Sequence, residues 1–428
     1  MRMKFVLAAN GSRGDVQPAV AVGLELRSRG HDVVLLAPPN MQEFGTGAGL
    51  STSVYGDSTR AVLESDAVRT RLKSADPRAR LAAATEITVR GGRQMQQTLL
   101  DASEGADAII STSAGQERAH NVSQVRGIPH VPLHLCSIRR NSTTSLLSQA
   151  GVDVSGPIAS ASWTVVEWLL WKASKRAEND LRSELGLGPM RTPFATAIAA
   201  TGIPEIQAYD PALFPGLVSE WGDRRPLVGF LGLPASAREG VGDVSADDDL
   251  SEWIAAADAP VYVGFGSMLP KNPDRLGEAI VAAADQLGVR LLVAGGWSDF
   301  LGNAGELGNR VRVVKHIDHD AVLPRCRAAI HHGGAGSVAA SLRAGLPTVV
   351  TWIGADQPIW GRAVASAHVG SSLPLSRVTP TRLTDVLRDA LSPQRRVTAT
   401  QLRDRLIAPS IAVSHAVDLV ERVASGSR

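Results

Sequence analysis

Positions 5–9, Phe-Val-Leu-Ala-Ala, form an apolar run too short for a helix and closed by polar Asn10. Such a run predicts a buried first strand. After a loop over 10–15, Val16, Val20 and Leu24 recur at the spacing of one helical face, and Gly30 ends that helix. Residues 33–37 predict the next strand, so the start of the chain reads as one βαβ unit. Strand-like runs at 108–111 and 128–133, with helical or loop stretches between them, continue the alternation. A parallel sheet with crossover helices follows.

The rhythm weakens at 222–226 (Gly-Asp-Arg-Arg-Pro) and across 234–249, which is rich in Gly, Ser and Asp. It then restarts with cleaner signals: a strand at 261–265, a helix at 273–287, and strands at 290–294, 311–314, 329–331 and 348–351. The pattern predicts two α/β domains, 1–222 and 223–409, joined near residues 220–250.

Composition narrows the function classes. Lys plus Arg is 44 and Asp plus Glu is 42, a net charge of +2, which excludes a charge-driven nucleic-acid binder. Hydrophobic residues make up 44% of the 428, ample for real cores. Cys136 and Cys326 are the only cysteines and imply reduced thiols in a reducing compartment. No uncharged apolar run reaches the ~18 residues of a membrane span. The basic N-terminus has too few apolar residues for a secretory segment. A cytoplasmic location is the expectation.

Four loops carry candidate chemistry, each at the carboxyl end of an expected strand, where open α/β sheets bind ligands. In Gly11-Ser12-Arg13-Gly14-Asp15-Val16-Gln17-Pro18 the carboxylate of Asp15 is aimed at the crevice. The same residue also suits a helix cap, and the two roles are compatible. His331-His332-Gly333-Gly334-Ala335-Gly336-Ser337 joins a strand to a helix. Its glycines permit close backbone approach, and the helix start offers unpaired N–H groups to an anion, with a histidine beside them. It is neither the G-x-G-x-x-G dinucleotide fingerprint nor a Walker loop, so NAD and ATP fit poorly. Asp356-Gln357 pairs a carboxylate with an amide, which suits neighbouring sugar hydroxyls. Gly264-Phe265-Gly266-Ser267 adds a hydroxyl and backbone N–H groups. His316-Ile317-Asp318-His319-Asp320 holds metal-ligand residue types, but within five consecutive positions and with no distant partner. No metal site is therefore expected.

Together these four loops, in this order and spacing, resemble the nucleotide-sugar glycosyltransferases of the GT-B fold over essentially the whole chain. The nearest groups are the sterol glucosyltransferases, the vancomycin-type antibiotic glycosyltransferases and the mycobacterial glycopeptidolipid glycosyltransferases. The resemblance implies two Rossmann-like domains facing across a cleft, the acceptor on the N-terminal half and the sugar donor on the C-terminal half. It also implies a last helix, about 410–428, that crosses back to the N-terminal domain. Asp15 matches the general base of such enzymes. His331 and the nest of Gly333, Gly334, Ala335, Gly336 and Ser337 match the diphosphate site, with Ser12 and Ser267 adding hydroxyls. Asp356 and Gln357 match the pair that holds the sugar. Trp297, His316 and Ile317 fall where the nucleotide base pocket lies. Many relatives carry Trp or Val-Pro where this chain has His316-Ile317, so the resemblance leaves uridine and thymidine donors both open.

The implied reaction moves a hexose or deoxyhexose from a UDP- or dTDP-sugar to a hydroxyl, with inversion and without a metal or other cofactor. The acceptor is a hydrophobic natural product or lipid. Two rivals share the fold: a nucleotide-sugar 2-epimerase and a catalytically silent sugar-nucleotide binding module. Trp163, Trp168 and Trp171 crowd one stretch of an aromatic-poor chain, just before Lys172, Lys175 and Arg176. They predict either a core helix or, through Trp163 and Trp168, an acceptor wall that also touches the inner face of a membrane. Nothing in the sequence sets the oligomeric state.

Overall fold

The computed structural model describes residues 1–58, 70, 91–145, 154–241, 248–266, 272–295, 310–315 and 317–426. Contacts divide the chain into two compact units. One comprises residues 1–211, 215–241 and 407–428; the other comprises 212–214 and 242–406. Residues 223–241, assigned to the second half on composition, group with the first unit.

Among the described residues each unit is built on one six-stranded parallel sheet. The first holds β1 (Lys4–Ala8), β2 (Asp32–Ala37), β3 (Ser51–Val54), β4 (Ala108–Thr112), β5 (His130–His134) and β6 (Ile206–Gln207), in the order β3-β2-β1-β4-β5-β6. The second holds β7 (Val261–Gly264), β8 (Leu291–Ala294), β9 (Val311–Val314), β10 (Ala328–His331), β11 (Thr348–Trp352) and β12 (Gly370–Pro374), in the order β12-β11-β10-β7-β8-β9. The two orders are the same once the strands of each sheet are numbered from one. Each is the doubly wound topology, whose ligand crevice opens where the strand order reverses, between β1 and β4 and between β7 and β10.

The apolar runs explain the central strands: Phe5, Val6, Leu7 and Ala8 are buried on both faces, as are Val261 and Val263. The helix 273–287 forms as expected, with Asn272 Oδ1 accepting from the Arg275 amide (3.1 Å) and Gly288 closing it in the left-handed region. Three strands escaped the sequence pattern: β3, β6 and β12. All are outer strands, and their polar or Gly- and Pro-bounded segments carry no apolar run.

The first helix starts earlier than its apolar spacing suggests, at Arg13–Ser28. Ser12 takes the N-cap position, which shortens the preceding loop and leaves Pro18 inside the helix. The final helix, Pro409–Ala424, packs on the first unit. It buries Ala412, Val413, Ala416, Val417 and Val420 in the core that also holds Phe5, Leu7, Val16 and Val20. Arg29 clamps it through Asp418 (2.6 Å) and Glu421 (2.8 Å), and His31 Nε2 meets Glu421 at 2.8 Å. No described helix is long and apolar enough to cross a membrane.

Candidate functional site

In the first unit, β1 runs into Gly11 and Ser12 at the strand-order reversal. Gly11 has φ +135°, and a Cβ there would lie 2.2 Å from Asp15 Oδ2, so only glycine fits beneath that carboxylate. Asp15 Oδ2 accepts from the Ser12 backbone N–H (2.8 Å) and from Ser12 Oγ (3.1 Å). Asp15 therefore does cap the helix, but with one oxygen only. Oδ1 takes no hydrogen bond from any described residue. Partial burial raises the pKa above the ordinary carboxylate value, and the Ser12 hydrogen bonds oppose that rise. The outcome is one fixed oxygen and one unengaged oxygen on a carboxylate with strengthened basicity. Ser12 directs its hydroxyl to Asp15, so the expectation that it serves a diphosphate finds no support in the geometry.

In the second unit the histidine pair divides its labour differently from the sequence reading. His331, the last residue of β10, is fully buried. Its Nδ1 accepts from the Gly333 N–H (3.1 Å), which places the proton on Nε2, facing Ser341 Oγ at 3.1 Å. Burial pushes its pKa down to about 3. Both nitrogens are committed inside the fold, so His331 shapes the loop and has no atom left for a ligand. His332 is partly buried, and its Nδ1 is buried without a hydrogen-bond partner among the described residues. Burial holds it neutral, with a pKa of about 4, against the pull of the Gly264 carbonyl. The doubled histidine marked the spot. The apolar strand before it could not say which ring is fully buried, because β10 is buried on both sides.

The ring of His332 sits against two glycines. A Cβ on Gly334 would lie 2.5 Å from Nε2, and one on Gly266 would lie 3.2 Å from Cε1. Gly333 has φ +87°, and its Cβ would collide with Val350 Cγ1 at 2.5 Å. The helix Ala335–Arg343 starts here with Gly334 at the N-cap and no side-chain cap. The amides of Ala335, Gly336 and Ser337 have no intrahelical acceptor. Together with the helix dipole they form an anion cradle.

One strand over, β11 leads to a strained corner: Ala355 is a non-glycine residue at φ +56°. Asp356 then begins the helix Gln357–Ser366, its Oδ2 accepting from Trp360 Nε1 (3.0 Å). Gln357 Oε1 accepts from the Ile353 N–H (2.8 Å) and the Gly354 N–H (3.4 Å), which turns its NH₂ away from the loop. Trp360 is fully buried, so it orients Asp356 rather than meeting a ligand itself. The pair can thus present a fixed acceptor and a fixed donor to hydroxyl groups.

The remaining expected positions divide. Ser267, Trp297 and His316 lie outside the described residues. The Ile317 side chain is buried among Tyr262, Leu292 and Val322, leaving only its backbone for a base pocket. Asp318 caps the short helix His319–Val322, and His319 Nε2 meets Tyr262 Oη at 2.9 Å, so this acidic and basic run has structural roles. Trp163 is a core residue, its Nε1 donating to the Thr144 carbonyl (2.7 Å), and this corrects its assignment to an acceptor wall. Trp168, on another face of the same helix, is 51% exposed.

Comparison with known proteins matches residues 5–85 to the glycosyltransferase family 28 N-terminal domain. Residues 298–421 match the erythromycin biosynthesis protein CIII-like C-terminal domain. An uncharacterized glycosyltransferase of Mycobacterium tuberculosis is 38% identical over 428 residues, all of both chains. A sterol 3-beta-glucosyltransferase of Arabidopsis thaliana is 30% identical over 94% of this chain and 62% of its own length. Among solved structures, the kitacinnamycin glycosyltransferase aligns with a TM-score of 0.73 at 21% identity, over 99% of this chain and all of that one. Glycosyltransferase VinC, in complex with dTDP, aligns with a TM-score of 0.65 at 18% identity, over 99% of this chain and all of that one. At these identities the structural matches speak for the fold, and the mycobacterial match speaks for the family. The chain belongs to the glycosyltransferases that join a family 28 N-terminal domain to an erythromycin CIII-like C-terminal domain, and it has the GT-B fold.

Proposed function

We propose that this enzyme transfers a hexose or deoxyhexose from a UDP- or dTDP-sugar to a hydroxyl of a lipid or natural-product acceptor, with inversion at the anomeric carbon. The observation that carries the reading is Asp15. One carboxylate oxygen is pinned by Ser12 and the other is unengaged, on a group whose pKa is raised by burial. A general base needs that combination of orientation and strengthened basicity, and it contributes ~10²–10⁴-fold to rate. As the acceptor oxygen attacks, its proton passes to Asp15, and the bond from the anomeric carbon to the diphosphate breaks.

The leaving diphosphate gains negative charge. The uncapped start of the helix Ala335–Arg343 supplies preorganised donors for it, the electrostatic role a cation fills elsewhere. Asp356 and Gln357 hold the sugar hydroxyls. The sterol enzyme and the dTDP-bound structure among the similar proteins support a hydrophobic acceptor and a nucleotide-diphosphate donor. The nucleotide sugar is a co-substrate, and no further cofactor is called for.

The test is Asp15→Asn. Stabilisation of the protein by UDP or dTDP should persist, while transfer to any accepted hydroxyl falls by ~10²-fold or more. Near-normal turnover would remove Asp15 from the role. Donor interconversion in the absence of acceptor would favour an epimerase instead.

A further inference from the structure

The helix Gly156–Glu184 is buried on one face from Ala159 to Arg182. One face is fully accounted for: Trp163, Trp171, Ala177 and Leu181 are buried, and Glu178 pairs with buried Arg118. The opposite face is not. Twelve large hydrophobic residues are exposed among the described residues, and five of them fall between 158 and 170. The others are scattered singly, as on any soluble protein.

Ile158, Val165 and Leu169 recur at spacings of seven and four, so they stack along one face, with Trp168 beside them. They are 60%, 56%, 53% and 51% exposed, respectively. The same face continues into Lys172, Lys175 and Arg176, all exposed. The Lys172 ammonium lies 5.2 Å over the Trp168 ring, so the apolar and basic halves adjoin. Acidic groups do not offset this run. Glu167 turns inward, where burial raises its pKa, and Glu184 is paired with Arg93. Among the described residues of this helix, Asp180 follows a turn later as an exposed carboxylate near the basic residues.

We propose that this face docks on an anionic lipid surface, the apolar residues entering the headgroup boundary and the three cations meeting lipid phosphates. Contiguous exposed apolar residues mark an interaction site rather than chance. An apolar stretch with tryptophan, bordered by Lys and Arg on one helix, matches what a charged interface binds. A second copy would bring the same three cations and too few carboxylates to match them, whereas an anionic surface neutralises them. The inference does not depend on the acceptor.

The test uses the full-length protein without donor or acceptor, sedimented with vesicles of phosphatidylcholine alone or mixed with phosphatidylglycerol. Wild type should pellet with the mixed vesicles, and added salt should weaken that binding. Lys172→Gln combined with Lys175→Gln and Arg176→Gln should weaken it about 100-fold, at roughly tenfold or less per cation. Val165→Ser with Leu169→Ser should weaken it at least about tenfold. Both variants alter exposed side chains, and an unchanged melting temperature confirms the fold. Three results would overturn the proposal: no pelleting of wild type, equal pelleting of the charge variant, or a serine variant that turns a dimer into a monomer while vesicle binding is unchanged. Because no transfer is measured, each of these leaves the glycosyltransferase reading where it stands.

Discussion

Asp15 shows how little separates a cap from a catalytic group. The capping bond to the Ser12 N–H holds one oxygen, and partial burial raises the pKa of the whole carboxyl. Catalysis requires the ionised form, so kcat/KM should rise with pH through a pKa above the ~3.9 of a free aspartate. An acid limb at or below that value would argue against Asp15 as base. The same shift sets a stability effect. The folded state binds this proton more tightly than the unfolded chain does, so Asp15 costs stability as pH rises through the two pKa values. Asp15→Asn, which keeps the capping geometry, should leave the melting temperature at neutral pH equal or higher. The histidine pair separates in the same manner. His331→Ala leaves Gly333 N–H and Ser341 without their buried partner and should cost about 2–4 kcal/mol of stability. His332→Ala should cost less stability and weaken nucleotide binding by about tenfold, because its ring packs against Gly334 and Gly266 at the anion cradle. Calorimetric melting with and without UDP or dTDP distinguishes the two.

At the level of elements, the loops were legible and their supports were not. Gly333-Gly334 and Asp356-Gln357 announce themselves by residue type. The groups that position them, Val350, Ser341 and Trp360, look like ordinary core residues until the fold places them. Trp360 is the clearest case: its ring fills the core beside Phe214 while its N–H reaches Asp356. Trp360→Phe should cost about 1–2 kcal/mol in stability and raise KM for the sugar donor more than it lowers kcat. An unaltered KM would mean that Asp356 holds its position without that bond. The final helix makes the opposite point. The family resemblance, rather than any local period, implied its return to the N-terminal domain, and the core it completes begins at residue 5. Truncation after residue 406 would remove Val413, Val417 and Val420, each worth about 1.5–3 kcal/mol when buried, and uncover the core that also holds Phe5, Val16 and Val20. The truncated chain should be insoluble or lose the cooperative melting of its first unit.

Across the whole molecule, buried histidines set the acid limit. His120 and His130 are held near pKa 4 and 3, His134 well below its ordinary value, and His331 near 3, all chiefly by burial. The unfolded chain takes up protons below about pH 6.5, whereas the native state refuses them until far lower pH. Stability is therefore full above that pH and falls as pH drops through the gap. By pH 5.5 the four together remove on the order of 5 kcal/mol. Three of them belong to the first unit, which should melt first in acid. Melting followed between pH 7.5 and 5 checks this, and an early loss of the second unit would contradict it.

The sequence by itself determined the repeating strand–helix layout, the parallel sheets and the four loops. Those features rest on local periodicity and on residue types whose chemistry is intrinsic: glycine for positive φ, and uncapped helix starts for anions. Outer strands β3, β6 and β12 had no such local signal, since an edge needs no apolar run. Tertiary structure alone decided which histidine is fully buried, which oxygen of Asp15 is engaged, and which tryptophan of the long helix is exposed. Each of these turns on what lies across the chain from the residue: Ser341, Ser12 and Thr144 each give a buried polar atom its partner. A hydrogen bond or a packed ring needs a neighbour, and the neighbours here are fixed by the fold rather than by the adjacent sequence.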